Sequence, residues 1–110
     1  MINEAKLDNV LLELGHDDFN RGTAYIREGV KLFDAGKRML TKELYPAIAK
    51  AHNSSGSRVE RLIRHSVEKA WSRNSFDTQL RYFGHSVDPN NGKPTNGEYI
   101  ARLAVICREN

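Results

Sequence analysis

The sequence predicts an all-α fold of about six helices, built on a helix-turn-helix at about residues 41–73 and winged-helix-like without a β wing. Three observations lead there. Apolar residues recur at three- and four-residue steps in six stretches, and no stretch shows the alternation of a strand. Capping and turn residues punctuate those stretches where helices would start and stop. At 110 residues the chain has the size of one domain, residues 1–110, with a core of its own.

The first helix is expected over residues 5–14, with Leu7, Val10, Leu11 and Leu14 on one face and Gly15 closing it. His16, Asp17 and Asp18 form a polar turn, in which His16 reads as a surface residue, and Asp18 or Asn20 caps the next helix. The second helix covers 22–35 with Tyr25, Ile26, Val30 and Phe33 as its stripe and Leu32 on the flank. Gly29 lowers its helix propensity by about 1 kcal/mol relative to alanine and points to close packing against a neighbour. Gly36 stops it. Thr41 reads as the N-cap of a third helix that carries Leu44, Tyr45, Ile48 and Ala49, with Pro46 near its start and an end at Ala51 or His52.

Asn53 tolerates the left-handed conformation that a tight turn needs. Ser55 or Ser57 then caps a fourth helix running to about Arg73, and Ser57 with Glu60 has capping-box spacing. Val59, Ile63, Val67 and Ala70, with Leu62 and Ser66 beside them, fall within about 140° of arc at roughly 100° per residue. A fifth helix is brief, from Phe76 to Phe83, and Gly84 ends it. Turn formers fill 86–93, among them Asp88, Pro89, Asn90, Asn91 and Gly92. Thr95 and Glu98 form a capping box for the last helix, which lines up Tyr99, Ile100, Leu103, Ala104 and Cys107.

Charge is distributed unevenly. The fourth helix holds Arg58, Arg61, Arg64, Lys69 and Arg73 against Glu60 and Glu68, so the whole net charge of +3 lies on it, and the remaining twelve basic and twelve acidic residues cancel. A pI near 9.2 is modest evidence for an anionic partner; the localisation of the charge is stronger evidence. No apolar run approaches the roughly 18–20 residues needed to cross a bilayer, so no membrane role is expected. A lone cysteine, Cys107, excludes an internal disulfide or a Cys-rich zinc site and fits the cytoplasm. It reads as a small core residue, and no catalytic residue, metal ligand set or cofactor is expected. His16, His52 and His85 read as surface or turn residues, and Trp71 as core or interhelix packing.

The spacing of a helix-turn-helix is present. It needs a small residue where the second helix crosses the first, and Ala49 is there. Four residues on it needs a left-handed turn residue, and Asn53 is there. About six residues later a branched apolar residue must pack back, and Val59 is there. Ser54 departs from the apolar residue common at its position. As a recognition helix, the fourth helix would meet DNA bases with Glu60, Arg61 and Arg64, since arginine can bond O6 and N7 of guanine and glutamate can accept from N4 of cytosine. Ser57 and Arg58 near its start, with Lys69 and Arg73 further along, would meet phosphates, and His65 joins them as a phosphate contact. The plain alternative is a solvated face with Glu60–Arg64 and Arg61–Glu68 pairs.

The segments LYPAIAK at 44–50, SRVER at 57–61, IRH at 63–65, AWSR at 70–73 and KPTN at 93–96 resemble the family of C-terminal effector domains of stage 0 sporulation protein A, and the likeness runs from about Leu7 to Glu109. The resemblance implies a six-helix DNA-binding domain of a transcription regulator that reads TGTCGAA-like boxes in double-stranded DNA, often as tandem copies arranged head to tail, with RNA polymerase as a further partner. It implies base contacts by Glu60, Arg61 and Arg64, with Ser57, Arg58 and His65 in the same DNA-facing region. Full regulators of that kind carry a phosphorylated receiver domain, for which 110 residues leave no room. The expectation is therefore an excised domain or a receiver-less relative. A receiver-less relative opens a second reading, an interaction protein that pairs with a full-length homologue.

Overall fold

The computed structural model describes residues 1–84 and 92–109. Among these, six α-helices and one π-helical turn account for the regular structure: α1 (Glu4–Glu13), α2 (Arg21–Asp34), the π-turn (Leu40–Leu44), α3 (Tyr45–Ala51), α4 (Gly56–Arg73), α5 (Phe76–Phe83) and α6 (Asn96–Cys107). No strand forms among the described residues; one isolated antiparallel bridge pairs Ile2 with Arg108. His85 and most of the turn formers expected over 86–93, Asp88, Pro89, Asn90 and Asn91 among them, lie outside the described residues.

The helix starts follow cap chemistry. The side chains of Asn3, Asn20, Ser55, Ser75 and Thr95 each accept a backbone N–H from the first turn of α1, α2, α4, α5 and α6, and Thr95 with Glu98 completes a capping box. Of the two alternatives for α4, Ser55 is the cap, and Ser57 lies inside the first turn. The third helical segment differs from expectation. Thr41 is not its N-cap: the segment opens at Leu40, after Met39, as a π-turn with no side-chain cap. Pro46 has no N–H for the carbonyl four residues back, and its ring would crowd that carbonyl. A wider turn ahead of it relieves the conflict, with Leu44 N donating to Met39 O at 3.0 Å.

The buried side chains form one cluster fed by every helix. The central helix is α2. A methyl group at Gly29 would sit 3.3–3.5 Å from Ile100, Ile48 and Leu44, so this glycine lets α2 pass close to α6, α3 and the π-turn. At Gly22 the approach to α4 is tighter still: a Cβ there would stand 2.5 Å from Leu62 O and 2.8 Å from Ser66 Cβ. The helix that carries the net charge is thus seated against α2 on one side and against α3 on another. Cys107 is buried as expected. Trp71 packs edge-on against Phe83 and Tyr99, at ring separations of 5.2 and 6.5 Å.

His16 overturns its reading as a surface residue. It is buried, with Nδ1 2.9 Å from Ser66 Oγ and Nε2 2.6 Å from Tyr99 Oη. Burial, and secondarily the charge of Arg73, lower its pKa from 6.5 to about 4. A neutral imidazole therefore joins the α1–α2 turn to α4 and α6. His52 is exposed, with its ring edge-on to Tyr25 at 5.1 Å.

Candidate nucleic-acid interface

The segments α3, a short turn and α4 follow one another in the order of a helix-turn-helix. Asn53 takes φ 52°, and it is the only non-glycine with positive φ among the described residues. Ser54 N then donates to Ala49 O at 2.8 Å, which reverses the chain. Ala49, Val59 and Ile63 are buried together under the turn. At Ser54 the departure from an apolar residue has a visible consequence: its Oγ is buried and has no hydrogen-bond partner among the described residues.

Two rows of side chains run along the outer side of α4. The first is Arg61, His65 and Lys69, at successive four-residue steps, with Arg58 beside it and all four exposed. None of their side chains has an ion pair or hydrogen bond among the described residues, so this row offers unpaired donors to solvent. Ser57 is exposed next to it, its Oγ 3.4 Å from Ser55 Oγ. Arg73 continues the charged side at the end of α4 and donates from Nη1 to Gly15 O at 3.3 Å.

The second row is Glu60, Arg64 and Glu68. The Glu60 side chain is exposed and without a partner among the described residues. Arg64 is half-buried, its side chain 34% exposed. It donates from Nη1 to Pro94 O at 3.1 Å and pairs through Nε with Glu68 at 3.5 Å. The ion pair on this face is thus Arg64–Glu68 rather than Glu60–Arg64 or Arg61–Glu68. So Glu60 and Arg61 stand open, whereas Arg64 is engaged with the segment that leads into α6. Sequence reasoning missed what flanks this row. Asn96, the first residue of α6, donates from Nδ2 to Tyr45 Oη at 3.1 Å and to Glu60 O at 3.2 Å. Burial, the larger effect, pushes the Tyr45 phenol pKa up, and the bond from Asn96 offsets part of that. The segment KPTN stood out at 93–96, but no spacing rule connects it to residues more than thirty positions earlier.

The family described as "Sporulation initiation factor Spo0A C terminal" matches residues 7–106. This chain belongs to that family. The match spans α3, the turn, α4 and the Pro94–Asn96 contact. The Spo0A C-terminal family comprises DNA-binding effector domains of a sporulation regulator, and this assigns double-stranded DNA as the partner. No helix among the described residues is long and apolar enough to cross a membrane.

Proposed function

We propose that the chain is a sequence-specific transcription regulator that seats α4 in the DNA major groove and reads TGTCGAA-like boxes. The observation that carries this reading is the open row of Arg61, His65 and Lys69 with Arg58, outward on the helix that follows the turn and unpaired among the described residues. Arg61 is the guanine reader and Glu60 the acceptor for a cytosine N4. Arg64 reads as well: arginine has five N–H donors, so holding Pro94 O and Glu68 leaves others for a base. Ser57, Arg58, His65, Lys69 and Arg73 take phosphates, which fix register and supply most of the non-specific affinity. Two copies bind tandem boxes head to tail, and the binding involves no catalytic step.

The test is selection of bound sites from random DNA with the purified chain, followed by affinities of variants on the winner. A TGTCGAA-like motif is the expected product. On that site Arg61→Ala and Arg64→Ala each lose about 1–3 kcal/mol and relax preference at one base position. Lys69→Ala weakens all sequences by a similar factor. No enriched motif sinks the reading. A chain that captures a full-length homologue while shifting no DNA replaces it with the interaction-protein reading.

A further inference from the structure

Three elements meet at one buried amide. Asn96 Nδ2 lies within hydrogen-bond distance of Tyr45 Oη on α3 and of the Glu60 carbonyl on α4, while Asn96 itself starts α6. One residue earlier than Thr95, the Pro94 carbonyl holds the Arg64 guanidinium, one turn along α4 from Glu60. The Pro94–Asn96 segment therefore grips the Glu60–Arg64 turn at a backbone carbonyl and at a side chain. We propose that Asn96 is a positioning residue for base reading, which sets the rotation of α4 about its own axis and thereby the aim of Glu60, Arg61 and Arg64. This rests on the DNA-reading role proposed above.

The need for such a device comes from how α4 is held. Val59, Ile63 and Val67 bury its inner side, but apolar contact is non-directional and tolerates some roll. With side chains ending about 6 Å from the helix axis, a roll of about 20° displaces a reading group by about 2 Å. A hydrogen bond to a base edge does not survive that displacement. The amide supplies direction. The Glu60 carbonyl can only accept, so it fixes Nδ2 toward α4: turning the amide over would set Oδ1 against that carbonyl, whereas the Tyr45 hydroxyl could serve either orientation. Asn96 is also poorly suited to a purely stabilising role: its Oδ1 is buried without a partner among the described residues, an arrangement that costs folding free energy.

The experiment compares wild type, Asn96→Ala and Tyr45→Phe on two duplexes: the site that the wild-type chain enriches from random DNA, and a scrambled duplex of the same composition. For Asn96→Ala the ratio of the two Kd values falls about tenfold, all of it through the selected site, while affinity for the scrambled duplex is unchanged. Tyr45→Phe removes one oxygen and keeps the ring, and it lowers the ratio by about threefold. Melting temperatures are measured alongside, and Asn96→Ala decides if it folds; otherwise Tyr45→Phe decides. An unchanged ratio in the deciding variant, or an equal loss on both duplexes, overturns the inference. If wild type itself prefers neither duplex, base reading fails and the inference falls with it; a wild-type preference beside an unchanged variant ratio rejects the positioning role alone.

Discussion

His16 shows how a single residue escapes a reading based on local pattern. It follows a glycine and precedes two aspartates, which is turn chemistry, and the turn is real. Its burial comes from Ser66 and Tyr99, fifty and eighty-three residues away, and nothing in the local sequence announces them. The consequence is a pH dependence. The folded pKa is about 4 against an ordinary 6.5, so the unfolded chain binds the proton more readily. Its contribution is complete above pH 6.5 and is lost as pH falls from 6.5 through 4. At about 1.4 kcal/mol per unit, the full loss is on the order of 3 kcal/mol. Chemical denaturation of wild type and His16→Gln between pH 7.5 and 4, about the range of the titration, checks this: Gln keeps hydrogen-bonding capacity without titrating, so its stability should decline less. Parallel curves would remove His16 as the cause.

Helices were the most legible feature, because periodicity and caps are local signals. Thr95 with Glu98, Asn20 and Gly36 stand where the sequence placed them. So do Ala49, Asn53 and Val59, whose roles are set by fixed spacing along one short stretch. Legibility failed where a backbone or tertiary demand overrode the preference of the residue itself. Thr41 is a good capping residue by type, but Pro46 five positions later reshapes the turn around it, and Glu43 supplies the bond to Met39 N instead. The grouping of Glu60, Arg61 and Arg64 rests on residue chemistry along one helix and on the family resemblance, and neither shows that α6 begins beside one of the two rows. The cap assignments separate cleanly by experiment. Ser55→Ala removes the bond from Arg58 N and should cost about 1 kcal/mol, while Thr41→Ala and Ser57→Ala should change the melting temperature little. A loss for Thr41→Ala as large as for Ser55→Ala would contradict the π-turn start.

Across the molecule the charge is arranged as well as the fold. Outside α4, several cations are neutralised where they stand: Arg27 by Asp8 and Asp18, Lys31 by Glu4 and Glu28, Arg81 by Glu13, Arg108 by Asp34. On α4 the ion pair among the described residues is Arg64–Glu68, and Arg58, Arg61 and Lys69 stay open among them. The excess therefore points outward from one side, and the salt dependence of DNA binding should report that side alone. Each neutralised phosphate releases about 0.9 counterions from a duplex, so log K falls with log salt by that amount per contact. With Arg58, Lys69 and Arg73 on phosphates, one copy has a slope near −2.7, about three contacts. Lys69→Ala should make the slope shallower by about 1, on selected and scrambled duplexes alike. Lys31→Ala should leave it unchanged, because Glu4 and Glu28 already compensate that charge. Titrations across salt concentrations with the three proteins decide the matter. A Lys69→Ala slope parallel to wild type would move the phosphate contact elsewhere, and a shallower slope for Lys31→Ala would show that DNA lies along α2 and not along α4.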